Sequence, residues 1–173
     1  MDKDKVRVAL AAPFDPQDIE WRVQQAGGFD KKPWAMVLAY VTNRAIMERL
    51  DEVVGIANWR NEYQPAPDGG IMCGLSIRIG DDWVTKWDGA ENTQVEAVKG
   101  GLSNAMKRAA VQWGIGRYLY KLESNFVSLA PVKPSDMTGW SHHYEKKTNS
   151  RHYWKIPVLP EWALPKEATD EAK

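Results

Sequence analysis

Residues 94–122 read QVEAVKGGLSNAMKRAAVQWGIGRYLYKL and carry Lys99, Lys107, Arg108, Arg117 and Lys121 against one carboxylate, Glu96, in a chain whose formal net charge is zero. Cations held along one helix face suit a phosphate backbone, because each neutralised phosphate releases condensed counterions. The same charges also suit a plain solvated helix surface, so charge alone leaves both readings open. Lys99, Ser103 and Lys107 recur every four residues and so share one edge of a helix. Val95, Val98, Leu102, Ala105 or Met106, and Ala109 form a separate apolar line at three-to-four spacing, which predicts that the helix lies on a sheet. Gly100 and Gly101 each cost such a helix about 1 kcal/mol relative to alanine, which close approach of another backbone or of a ligand would justify.

Other chemistries find less support. Gly114 and Gly116 read as a helix end and turn; no strand precedes them and no GxGxxG or GK[ST] loop follows, so no nucleotide cofactor is expected. Asp81, Asp82, Asp88 and Glu91 could hold Mg²⁺ as a nuclease does, but turn chemistry explains the first two equally well. His142, His143 and His152 lack HExxH or HxH spacing and read as a surface cluster rather than a zinc site. No serine or cysteine stands in a nucleophile-elbow context. The single cysteine, Cys73, excludes an internal disulfide and a cysteine-based zinc site, and reads as a small buried residue on a strand. The expectation is a binding protein rather than an enzyme, without metal or cofactor.

The elements that must position these residues follow from pattern. Length allows one domain of ordinary size plus a tail: residues 1–127 as the binding domain and 128–173 as an extension containing proline, tryptophan and all three histidines. DPQDIEWRVQQ, 15–25, offers an aspartate cap, an early proline and Ile19 and Val23 four apart, which predicts a short helix. Trp34 to Val54 reads as extended at first and helical from about Thr42, with Gly55 as its stop. WRNEYQ, IMCGLSIRI and WVTKWDG, separated by PAPDGG and GDD, predict an antiparallel meander. In its middle run Ile71, Cys73, Leu75, Ile77 and Ile79 alternate with polar or small residues, which turns Arg78 away from the core. Parity groups Arg60, Glu62 and Gln64 on the first run, and Val84, Lys86 and Asp88 on the third. The fold class is α+β: a three-stranded meander packed on a long helix, a β-β-β-α core, with N-terminal helices. Nine tryptophans are an unusual number; their large flat faces suit the core and subunit contacts first, and stacking on bases as well. No signal peptide and no run of about 20 apolar residues is present, so a soluble cytoplasmic protein is expected.

The order of parts, YVTNRAIMERLDEVVG, then Asn58-Trp59, then the meander, then MKRAAVQWGIGRYLY, resembles the Rad52 family of single-strand annealing proteins, in particular its compact phage and prophage members. The likeness spans about residues 13 to 125 and rests on Tyr40, Arg44, Leu50, Asp51, Gly55 and Trp59 together with the Lys107-Arg108 pair. It implies a basic groove between sheet and helix that holds single-stranded DNA with bases free to pair, ATP-independent annealing, and ring or helical homo-oligomers in a bacterial host cell. By position, Arg44 is similar to the family's groove arginine, and Lys107 and Arg108 to its basic pair on the long helix. One residue more than the eukaryotic pattern between Arg44 and Gly55 makes Arg49 a rival to Arg44. Lysines of the family's outer DNA site have no match placed here. The expected contacts are therefore Arg44, Lys107 and Arg108, then Lys99, Arg60, Arg78 and Lys86. Expected partners are single-stranded DNA, further copies of the chain, and a single-strand binding protein or exonuclease. Two alternatives are a passive single-strand protector and, less favoured, a Mg²⁺-dependent nuclease.

Overall fold

The computed structural model describes residues 2–67, 69–91 and 97–166, with side chains of the last segment from residue 100. Val95 and Glu96, and the side chains of Val98 and Lys99, lie outside the described residues. The protein is mixed α+β, and the described residues form three antiparallel sheets and three α-helices. Among the described residues no helix is long and apolar enough to cross a membrane.

Helix α1 (Lys3–Ala11) begins at Asp2, whose carboxylate accepts from the Asp4 and Lys5 amides, and buries Val6 and Leu10. A 3-10 turn over Pro16–Asp18 follows, and then strand β1 (Ile19–Gly27). The helix expected over 15–25 is thus corrected to one turn and a strand. Ile19 and Val23, four apart, share a face in a strand as well as in a helix, and Trp21 between them completes a period of two. β1 pairs with β2 (Trp34–Val41) in an antiparallel register that shifts between Val23 and Gln25, a bulge at Gln24. β6 (Asn125–Ser128) joins the other side of β2, so strand pairing straddles residue 127.

Helix α2 (Asn43–Val54) follows its sequence signals. Thr42 caps it by accepting from the Ala45 amide at 3.2 Å, and Gly55, at φ 89°, ends it. Ala45, Ile46, Leu50 and Val54 are its buried positions. Arg49 leaves the same helix toward α1, where its guanidinium donates to the carbonyls of Ala9, Ala12 and Pro13 at 3.1, 2.8 and 3.2 Å.

The second sheet is the meander β3 (Trp59–Pro65), β4 (Ile71–Ile79) and β5 (Asp82–Ala90). Cys73, Leu75 and Ile77 point to helix α3 (Ala97–Gln112), whose Ala105, Met106, Ala109 and Ala110 are buried with them. Trp113 locks the helix end by donating from Nε1 to the Leu75 carbonyl at 2.9 Å. On the opposite face Trp87 lies over Gly74, where an added Cβ would come within 2.6 Å of the indole. That close approach, rather than a turn, is why position 74 is glycine.

The segment after residue 127 is more regular than its composition suggests. Strands β7 (Trp140–Glu145) and β8 (Ser150–Lys155) form a hairpin. Trp154, 1% exposed, joins Leu129, Ala35 and Val37 in a second apolar cluster behind β2. Leu159 and Ala163 then dock into the main core formed by α1, α2, β4 and α3.

Candidate nucleic-acid interface

A cleft of about 930 Å³ opens between the β1-β2-β6 sheet and α3. On the helix side Asn104, Lys107, Arg108 and Val111 line it. These are positions i, i+3, i+4 and i+7, one face of a helix whose next face is buried on the meander. On the sheet side β1 and β2 contribute Arg22, Gln24, Leu38 and Tyr40. Glu20 stands opposite Tyr40, and Arg22 opposite Leu38, so these four side chains share the face presented to Lys107. Past the helix Gly116, at φ 69°, turns the chain where a Cβ would meet Val41 at 2.7 Å, and Tyr120, 66% exposed, projects at the rim.

The cations of this cleft differ in their surroundings. Lys107 is 11% exposed; its ammonium lies 3.4 Å from Glu20 Oε2 and 6.0 Å from the Tyr40 ring centre. Burial, reinforced by the Arg22 cation, lowers its pKa, and Glu20 only partly offsets this. Burial pushes the Glu20 carboxyl up, but Arg22 and Lys107 together outweigh it and hold it below the ordinary carboxylate range. Arg22, 55% exposed, donates to the same Glu20 oxygen at 2.8 Å. Arg108 is half exposed and uses only Nε, at 2.9 Å, to bind Asp88 Oδ1. Asp88 also accepts from Gln112 Nε2 at 3.1 Å and from the Gly89 amide at 2.8 Å. Those bonds outweigh burial and keep Asp88 below its usual pKa. Among the described residues no acceptor binds the Nη groups of Arg108, so these donors remain for the forked recognition that suits phosphate.

The remaining expected contacts are scattered. Arg44 is exposed in the first turn of α2 and does not line the cleft, although Ile46, two residues on, does. Arg49 is occupied by the carbonyls of Ala9, Ala12 and Pro13 at and just past the end of α1, and stacks 3.9 Å from the Phe14 ring centre. Arg60 and Arg78 share the outer face of the meander, away from α3: Arg60 stacks 4.6 Å from the Trp83 ring centre and Arg78 pairs with Asp81 at 3.7 Å. Lys86 faces α3 but donates to the Gln112 carbonyl at 2.9 Å. Arg117 donates to the same carbonyl and to that of Val111, both at 2.8 Å, so these two cations cap the helix C-terminus. Of the acidic turn, Asp81 faces Arg78 and Asp88 faces Arg108. Among the described residues no group of three or more histidine, cysteine or acidic side chains could hold a metal ion.

Sequence reasoning missed Arg22, Glu20 and Asn104. For the first two the signal was present, since Ile19-Trp21-Val23 alternation puts Glu20 and Arg22 on the opposite, open face. The helix expected there concealed it.

Residues 2–138 match the Rad52/22 family of double-strand break repair proteins. The chain belongs to this family. A curated relative, the single-stranded DNA-binding protein DdrA of Deinococcus radiodurans, is 32% identical over 167 residues, which is 95% of this chain and 70% of the relative. DdrA of Deinococcus deserti is 30% identical over 161 residues, covering 88% of this chain and 78% of that protein. No solved structure gave a significant match. For a Rad52/22 family member the Lys107-Arg108 pair, the cleft it lines and the facing Arg22 form the strongest candidate interface among the described residues.

Proposed function

We propose that this Rad52/22 family protein binds single-stranded DNA along the cleft between β1-β2 and α3, and promotes pairing of complementary strands without ATP. The observation that carries the reading is the adjacent pair Lys107 and Arg108 on one wall of the cleft with Arg22 on the other. The meander and α3 constitute the β-β-β-α core. Phosphates bind to the Arg108 fork and to Lys107 and Arg22, with Arg44 adding a steering charge from α2. Contacts of this kind hold a strand without reading it, so the bases stay available for Watson-Crick pairing. Arg60 and Arg78 lie on the other face of the meander and Lys86 caps α3, so none of them belongs to this path.

One cleft offers three cations, enough for a few nucleotides, whereas annealing needs a longer strand presented in register. Support therefore also exists for the homo-oligomer, ring or filament, in which clefts follow one another. The deciding experiment mixes two complementary labelled oligonucleotides with the protein and no nucleotide. Faster duplex formation than in the protein-free control supports annealing; slower formation identifies a passive protector. Shortening of labelled single strands in Mg²⁺ would identify a nuclease instead.

A further inference from the structure

Two cations of the cleft already hold an anion. Glu20 Oε2 accepts from Arg22 Nη2 at 2.8 Å and lies 3.4 Å from Lys107 Nζ, so one carboxylate oxygen bridges the cations of facing walls. A phosphate oxygen offers the same acceptor chemistry to the same donors. We infer that Glu20 is an internal substitute for a DNA phosphate, occupying Lys107 and Arg22 in the free protein and competing with the strand for them; this rests on the cleft being the DNA site.

Glu20 contrasts with Asp88, the carboxylate that holds the third cleft cation, Arg108. Asp88 is 19% exposed and receives bonds from Arg108, Gln112 and the Gly89 amide, so it cannot leave without stranding three donors. It positions Arg108. Glu20 is 43% exposed on β1, which is the edge strand of its sheet, and only Arg22 and Lys107 bind its carboxylate among the described residues. A change of side-chain rotamer releases it into solvent with no movement of the backbone. Lys107, by contrast, is too buried to be left without an anion: its 11% exposure gives little hydration. Glu20 therefore keeps Lys107 charged and in place until a phosphate arrives. Once displaced, it remains beside the strand and repels it. Affinity is thereby held below what three cations would give, and a paired product leaves more readily.

The test uses the full chain, a labelled oligo(dT) and a titration between 50 and 300 mM NaCl, with on- and off-rates, conditions chosen about the range where salt dependence is steep. Glu20→Gln keeps size and removes charge. It should bind about five- to tenfold tighter at low salt, dissociate more slowly, and steepen the slope of log K against log salt by about 0.7, one additional phosphate. In a Lys107→Gln background the gain from Glu20→Gln should largely vanish. Glu161→Gln, a carboxylate in the 3-10 turn Glu161–Ala163 that binds none of Arg22, Lys107 and Arg108 among the described residues, controls for net charge. Unchanged or weaker binding by Glu20→Gln overturns the inference, as does an equal gain from Glu161→Gln or an undiminished gain without Lys107. Such results, together with weakened binding by Lys107→Gln/Arg108→Gln, leave the cleft as the DNA site. Full binding by that double variant overturns the cleft itself. Thermal melts confirm that each variant is folded.

Discussion

Replacing Lys107 and Arg108 together by glutamine is the most direct perturbation of the cleft, and its size can be worked from the structure. Each cation that neutralises one phosphate of a single strand contributes about 0.7 to the slope of log K against log salt. Losing two should flatten the slope by about 1.4, which between 1 M and 0.1 M salt amounts to about 25-fold weaker binding at the lower concentration, or about 2 kcal/mol. The fold should persist, because neither partner carboxylate is stranded. Glu20 keeps Arg22 at 2.8 Å, and Asp88 keeps Gln112 and the Gly89 amide. Loss of the half-exposed Arg108 pair costs at most about 1 kcal/mol of stability. Fluorescence anisotropy of a labelled oligo(dT) over a salt series, with a urea melt of the same preparation, measures both quantities. A folded double variant whose affinity and salt slope equal those of the unaltered protein would refute the assignment, because Lys107 and Arg108 would then touch no phosphate.

Three further outcomes follow from the packing. Arg49→Met removes three charge-assisted bonds to the carbonyls of Ala9, Ala12 and Pro13 and should cost about 2 kcal/mol, with amide-exchange protection lost first over residues 3–11 and DNA affinity nearly retained. Trp154→Ala empties the cluster behind β2 and should cost about 3–5 kcal/mol in a urea melt. Glu20 and Asp88 both have pKa values held below the ordinary range. Their contribution is complete above the unfolded-state value of about 4 and is lost as pH falls through the lower folded values. Urea midpoints should therefore hold steady from pH 7 to about 5 and decline below about 4, and Asp88→Asn should make that decline shallower.

How much of this could be read beforehand depended on whether the deciding signal was local. Helix α2 carried its own punctuation in Thr42 and Gly55, and the meander carried its own in PAPDGG and GDD. The Lys107-Arg108 pair was visible because both cations sit in a segment whose apolar spacing fixes which face is buried. β1 was misread because a spacing of four is common to helix and strand. The β7-β8 hairpin was obscured because its inward positions are His152 and Trp154 rather than aliphatic residues, so the usual alternation is absent. Arg49 illustrates a third kind of case. Its residue type is the same as that of Arg44, and only the arrival of the Ala9, Ala12 and Pro13 carbonyls, 36 to 40 positions away in sequence, separates a helix clamp from a candidate DNA contact.

The placement of Trp154 and Leu159 also sets the order in which the protein can be completed during synthesis. β2 gains its second neighbour only when Asn125–Ser128 has emerged, the cluster behind it is completed when Leu129 and Trp154 arrive, and the main core waits for Leu159 and Ala163. Pairings so distant in sequence form after the local ones, since long loops must close before their contacts contribute. The sheet wall of the cleft is thus among the last parts to become rigid. A nascent chain can present the cations of α3 while the opposing β1-β2 surface still lacks β6 and Trp154 behind it, and a strand bound then would meet an interface with one unsupported wall.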